Sequence, residues 1–153
     1  MNDPLQQTLQ EALPDLQRLC VDPWVLIGSA AARLVGADVG VADIDVLTSV
    51  ADADRLVEHW QARRESLFEP AGAERFRSRF ARFRFTGLPL EVMGGLQLHD
   101  TREWVPVIAG ETMLVAFGGM QIPVPRVVEQ IRILESFGRP KDLQRAALLR
   151  ALS

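Results

Sequence analysis

The sequence predicts an α/β (α+β) domain in which helices flank a mixed central sheet and further helices close the chain. Three observations carry that expectation. Short apolar stretches alternate with helix-spaced patterns through about residue 66, so helices link the early strands. From residue 76 onward strand candidates follow one another across glycine-bearing turns, the mark of hairpins. Two proline-started helical patterns then end the chain. At 153 residues, all of it (1–153) reads as one domain large enough to bury a core.

Asn2-Asp3-Pro4 is a helix start, with polar caps before proline at the first helical position. Leu5, Leu9, Leu13, Leu16 and Leu19 continue it as a helical stripe, in which Pro14 predicts a kink or a break into two helices. "WVLIG" at 24–28 is a short buried strand, and Ser29 is placed to cap the helix "AAARLVG" that Gly36 ends. A strand is predicted over 41–48. Ser49 and Asp52 have capping-box spacing for a helix running to about residue 66, with Leu56, Val57 and Trp60 as its apolar side. "RFRSRFARFRF" alternates arginine or serine with phenylalanine, but the phase changes at Ala81, which predicts a bulge there. "TGLP" turns into a second strand, "LPLEVMGGL", whose glycines are expected to supply a positive-φ turn. Two or three short strands between 104 and 124 are separated at Ala109-Gly110 and Gly118-Gly119. Helices "VPRVVEQIRILESFG", stopped by Gly138, and "RPKDLQRAALLRAL" complete the chain.

Composition removes several classes of function. A net charge of −3 gives no electrostatic case for tight binding to nucleic acid or membrane. No apolar run reaches the ~18 residues of a membrane span, and "MNDPLQQTLQ" lacks the features of a signal peptide. A single cysteine, Cys20, excludes an internal disulfide and fits a reducing cytoplasm, the expected location. Cys20 reads as a core residue at the end of the first helix, and Trp24, Trp60 and Trp104 as core or rim packing.

The strand "VADIDVLTS" carries Asp43 and Asp45 two residues apart, so an extended chain sends both side chains from one face, with Cα atoms roughly 6.6 Å apart. Two like charges there repel, and burying them unpaired is costly. A divalent cation removes both objections, and hard oxygen ligands favour Mg²⁺ or Mn²⁺ over zinc. Neither His59, expected mid-helix, nor His99, after the hairpin, suits a zinc site. Glu91 sits mid-strand in "PLEVM", another carboxylate against an apolar background. Gly28-Ser29 ends a strand just before a helix, a place that favours phosphate. Lys141, in "GRPKD", is the single lysine among 17 basic residues and offers a cation at the start of the last helix.

Gly28-Ser29, thirteen residues, Asp43-Ile44-Asp45 and a later Glu91 together resemble the nucleotidyltransferase superfamily, the DNA polymerase β-like fold. "GRPKDL" at 138–143 is further similar to small bacterial proteins related to the AbiEii toxins and to minimal antibiotic nucleotidyltransferases. The resemblance implies transfer of a nucleoside monophosphate from NTP to a hydroxyl-bearing acceptor, with release of pyrophosphate. It implies that Asp43 and Asp45 hold one Mg²⁺ (or Mn²⁺) and, with Glu91, a second about 3.5–4 Å away. Glu91 is instead or also a general base. Gly28 and Ser29 cradle phosphates, while Lys141 and Arg139 neutralise phosphate charge. The acceptor it implies is a small molecule such as an antibiotic, a tRNA end, or a protein side chain, recognised by this domain or a second copy in a homodimer, without a membrane partner. Glu91 is one methylene longer than the aspartate common at that position. "GSAAARLVG" lacks the Arg-Gly pair of the antitoxin branch. The alternative is a non-catalytic nucleotide-binding or toxin–antitoxin partner protein that keeps the fold.

Arg75, Arg77, Arg79, Arg82 and Arg84 interleave with phenylalanine. An acceptor or nucleic-acid surface is one reading. The favoured one is a two-layer strand, phenylalanine inward and arginine outward in solvent.

Overall fold

The computed structural model describes residues 3–152. Asp3 caps helix α1 (Pro4–Leu19), its side chain accepting from Leu5 N with Pro4 in the first turn. Asn2, the other predicted cap, lies outside the described residues. Pro14 neither breaks α1 nor divides it, and Leu5, Leu9, Leu13 and Leu16 are buried along one side. β1 (Val25–Ile27) runs directly into α2 (Gly28–Leu34). That helix starts one residue before the predicted cap, with Ile27 as N-cap and no side-chain capping bond, so Ser29 lies inside its first turn.

β2 is Ile44–Thr48, three residues shorter at its start than predicted. Asp43 therefore precedes the strand, in a bend, and Asp45 lies within it. α3 (Val50–His59) is capped by Ser49, which accepts from Asp52 N at 3.1 Å. Asp52 does not complete a capping box. Its carboxylate instead accepts from Val21 N, Asp22 N and Thr48 Oγ1, pinning the segment after α1 to the start of α3. The helix stops at His59, short of residue 66, and a 3-10 turn at Gln61–Arg63 follows.

β3 (Phe76–Phe83) and β4 (Leu90–His99) form the predicted hairpin. The register shift lies between Arg77 and Arg79, not at Ala81, so 79–83 keep one alternation against β4. Gly94 and Gly95 make no turn but continue β4, and the expected positive φ occurs at Gly95 (+61°), where the β3–β4 register shifts. At Gly94 a Cβ would fall 2.6 Å from Ala53 Cβ, so glycine lets α3 press against the strand. β5 (Trp104–Pro106), β6 (Thr112–Phe117) and β7 (Met120–Pro125) follow, then α4 (Val127–Phe137) and α5 (Pro140–Arg150), with Gly138 in the left-handed conformation between the helices.

The sheet order is β1-β2-β4-β3, with β5 added along the far part of β4. β2 and β4 are parallel, and the other pairs are antiparallel. β6 and β7 make a separate hairpin. Alternation divides the sheet into two faces. Leu26, Ile44, Val46, Ala81, Phe83, Leu90 and Val92 pack with α1 and α3, while Val25, Ile27, Leu47, Leu96 and Leu98 pack with Ile133 and Phe137 of α4. A third cluster joins Ala32 of α2, Leu134 of α4 and Ala146 and Leu149 of α5. Trp60 is buried edge-on to Phe83 and Phe85, as expected of a core residue, and Trp24 and Trp104 are half-buried. Cys20 caps α1 half-buried; burial pushes its thiol up to about 11, and the neighbouring Asp52 adds to the rise, so it stays protonated at neutral pH. No helix among the described residues is long and apolar enough to cross a membrane.

Candidate metal and nucleotide centre

Strand register builds the site. Asp45 of β2 lies opposite Glu91 of β4, and Glu91 lies opposite Arg82 of β3. Directly opposed residues share a face, so the three side chains form a row across the sheet. Their neighbours Ile44, Val46, Leu90, Val92, Ala81 and Phe83 are committed to the α1–α3 core, which sends the row to the other face. Asp43 joins it from the bend before β2. The three acidic residues each bring a carboxylate oxygen within 4.8 Å of the others.

This placement costs electrostatic energy. Burial, reinforced by the charges of Glu91 and Asp43, pushes the Asp45 carboxyl well above the usual carboxylate range. Burial also raises Glu91; a hydrogen bond from Arg82 opposes that rise without cancelling it, and Asp43 adds to it. Asp45 Oδ1 is buried with no hydrogen-bond partner among the described residues. An orphaned carboxylate oxygen inside a set of three hard donors fits a divalent cation. Asp43, Asp45 and Glu91 are thus the residues able to hold one.

Gly28 closes over the row from the β1–α2 junction. With φ +68° it takes a backbone conformation that glycine adopts freely, and a Cβ there would sit 2.9 Å from Asp45 Oδ2. Ser29 beside it is buried. Lys141 lines a groove of about 250 Å³ with Asp38, Val39, Gly40, Gln144, Arg145 and Leu148. Arg145 of that groove favours the charged form of Asp45, and its Nη1 lies 4.0 Å from Asp142 Oδ1. Arg139 is placed differently. It pairs with Asp142 at 2.6 and 3.1 Å and lies over the rings of Phe76 and Phe137, which ties it to the α4–α5 corner.

Two basic residues of the site were not picked out from the sequence. Arg145 sits in an unremarkable amphipathic helix, one turn after Lys141, and that spacing is the signal it left. Arg82 belongs to the strand expected to point its arginines into solvent. Its neighbours partly follow that expectation, with Arg79 on Asp54 and Arg77 over Trp104. Arg82 instead turns inward, its side chain 17% exposed, to Glu91 and Asp43.

No protein-family model matches the chain, and no curated protein matches it in sequence. Solved structures do. A proposed nucleotidyltransferase from Thermotoga maritima superposes with a TM-score of 0.74 at 22% identity, covering 99% of this chain and 94% of that one. A lincosamide antibiotic adenylyltransferase, LnuA, in its lincomycin-bound form, gives 0.63 at 9% identity over 95% and 96% of the two chains. An antigenic nucleotidyltransferase-like protein from Paracoccidioides brasiliensis gives 0.61 at 14% identity over 99% and 78%. The expected fold class is observed: this chain has the nucleotidyltransferase fold.

Proposed function

We propose that the protein is a metal-dependent nucleotidyltransferase that moves a nucleoside monophosphate from NTP to a hydroxyl-bearing acceptor and releases pyrophosphate. The observation that carries this reading is the convergence of Asp43, Asp45 and Glu91 around an unpartnered, buried carboxylate oxygen, on a fold shared with an adenylyltransferase. Mg²⁺ or Mn²⁺ held there would neutralise phosphate charge and lower the pKa of a bound hydroxyl. Asp43 and Asp45 serve as ligands. Glu91 serves as ligand, as general base for the acceptor hydroxyl, or as both. Gly28 lets the backbone come close above Asp45, and Ser29 follows it toward the phosphates. Lys141 and Arg145 offer positive charge to the triphosphate from the groove of α5. Arg139 has the weaker claim, because Asp142 already satisfies its guanidinium. The lincomycin-bound form of LnuA, on the same fold, favours a small-molecule acceptor, and a tRNA end or a protein side chain would be used by the same chemistry.

The test is pyrophosphate release from each of the four NTPs with Mg²⁺ or Mn²⁺, against a panel of aminoglycoside, lincosamide, tRNA and protein acceptors. Release with at least one acceptor, reduced by a hundredfold or more in Asp45→Ala, is the expected result. NTP binding with no release from any pair would move the protein to the non-catalytic, nucleotide-binding alternative.

A further inference from the structure

Arg82 is held more fully than a surface arginine requires. Nη1 donates to Glu91 Oε2 at 2.6 Å and reaches Asp43 Oδ2 at 3.4 Å. On its other side Nε donates to Glu65 Oε2 at 2.8 Å, and the guanidinium lies 4.5 Å from the centre of the Phe68 ring. Phe68 in turn stacks on Phe80, so the segment after the 3-10 turn is fastened to β3 around this one side chain. Resting on the metal-centre reading above, we propose that Arg82 is a positioning residue and fixed counter-ion of the acidic centre. It aims Glu91 and Asp43 toward Asp45, and it restrains the centre's affinity for a divalent cation until a nucleotide brings further negative charge.

The physical argument is a charge count followed by geometry. Asp43, Asp45, Glu91 and Glu65 carry a formal −4 when ionised and Arg82 contributes +1, so loss of Arg82 leaves the centre one unit more negative toward a cation and loss of Glu65 one unit less. The planar guanidinium spends separate N–H groups on the two sides, so Glu65 and Phe68 fix its plane while Nη1 faces the carboxylates. A second cation drawn toward Glu91 meets this positive charge at close range, and a triphosphate would offset that repulsion. Lysine in its place would keep the charge but not the two-sided grip.

Mn²⁺ titration without nucleotide, followed by the electron paramagnetic resonance signal of the free ion at low ionic strength, tests this. Arg82→Gln should bind Mn²⁺ about tenfold more tightly than wild type, since even bulk-water screening of a nearby unit charge is felt at that level. The difference should shrink as salt is raised. Glu65→Gln, which keeps an acceptor for Nε but removes a negative charge, should bind Mn²⁺ more weakly. Arg82→Lys should match wild type in Mn²⁺ affinity yet lose pyrophosphate release at saturating nucleotide. A purely structural Arg82 would move melting temperature without tightening Mn²⁺ binding. Unchanged or weaker binding in folded Arg82→Gln overturns the proposal, and so does unchanged affinity in Glu65→Gln should Arg82→Gln fail to fold. Asp45→Asn is the control. If it binds Mn²⁺ like wild type, the metal-centre reading falls and takes this inference with it. If Asp45→Asn loses binding while Arg82 and Glu65 variants show the wrong sign, this inference alone falls.

Discussion

Gly28 and Asp45 illustrate how closely single residues are matched at this site. Gly28 combines a φ of +68° with an approach to Asp45 Oδ2 that leaves no room for a methyl group. Gly28→Ala therefore carries roughly 1–2 kcal/mol of backbone strain and displaces the Asp45 carboxylate. A misplacement on the order of 1 Å at a reacting centre costs about a hundredfold, so pyrophosphate release should fall by that factor while urea denaturation shows a modest loss of stability. Asp52 is the contrasting aspartate. Burial alone would raise its carboxyl, but the Val21 and Asp22 N–H groups, the Thr48 hydroxyl and Arg55 together hold it below the usual range. A depressed folded-state pKa gives stability that is complete above the unfolded carboxylate pKa and is lost as pH falls through the folded one. Asp52→Asn puts an amide NH₂ where an acceptor is needed and should cost about 1–3 kcal/mol at pH 7. In thermal melts across pH, the gap between variant and wild type should close as acid protonates Asp52.

At the scale of elements, the site depends on which strand faces which. Alternation along β2 and β4 was legible, because Ile44, Val46, Leu90 and Val92 announce one buried face and so leave Asp45 and Glu91 on the other. The start of β2 was not, since a bend at Asp43 and an extended residue differ by backbone angles that side-chain pattern does not encode. The inward turn of Arg82 was hidden for a different reason. Its partner Glu91 arrives through cross-strand register, while the local pattern presents one arginine among five. Gly94 was read as a turn, yet its role lies in packing between α3 and β4. Gly94→Ala brings a methyl group to 2.6 Å from Ala53 Cβ and 3.0 Å from Ser49 O. Overpacking of this kind costs about 1–3 kcal/mol. At roughly 2–4 °C per kcal/mol for a chain of this size, calorimetry should show a fall of several degrees in Tm.

For the whole molecule, the order of helices and strands, the hairpins and the two closing helices followed from periodicity and from glycine and proline positions. The separation of β6 and β7 from the main sheet, and the groove between α5 and the segment at Asp38–Gly40, depend on tertiary docking that no short-range pattern reports. Hence Lys141 was singled out for being the single lysine, while Arg145 came to notice through the groove it lines with Lys141. The most direct test of the account is anomalous diffraction from crystals grown with Mn²⁺ and a non-hydrolysable NTP analogue. The predicted result is a manganese peak at coordination distance from Asp43, Asp45 and Glu91, with the triphosphate running toward Lys141 and Arg145. Manganese elsewhere, or none at the three carboxylates while the analogue is bound, would contradict it.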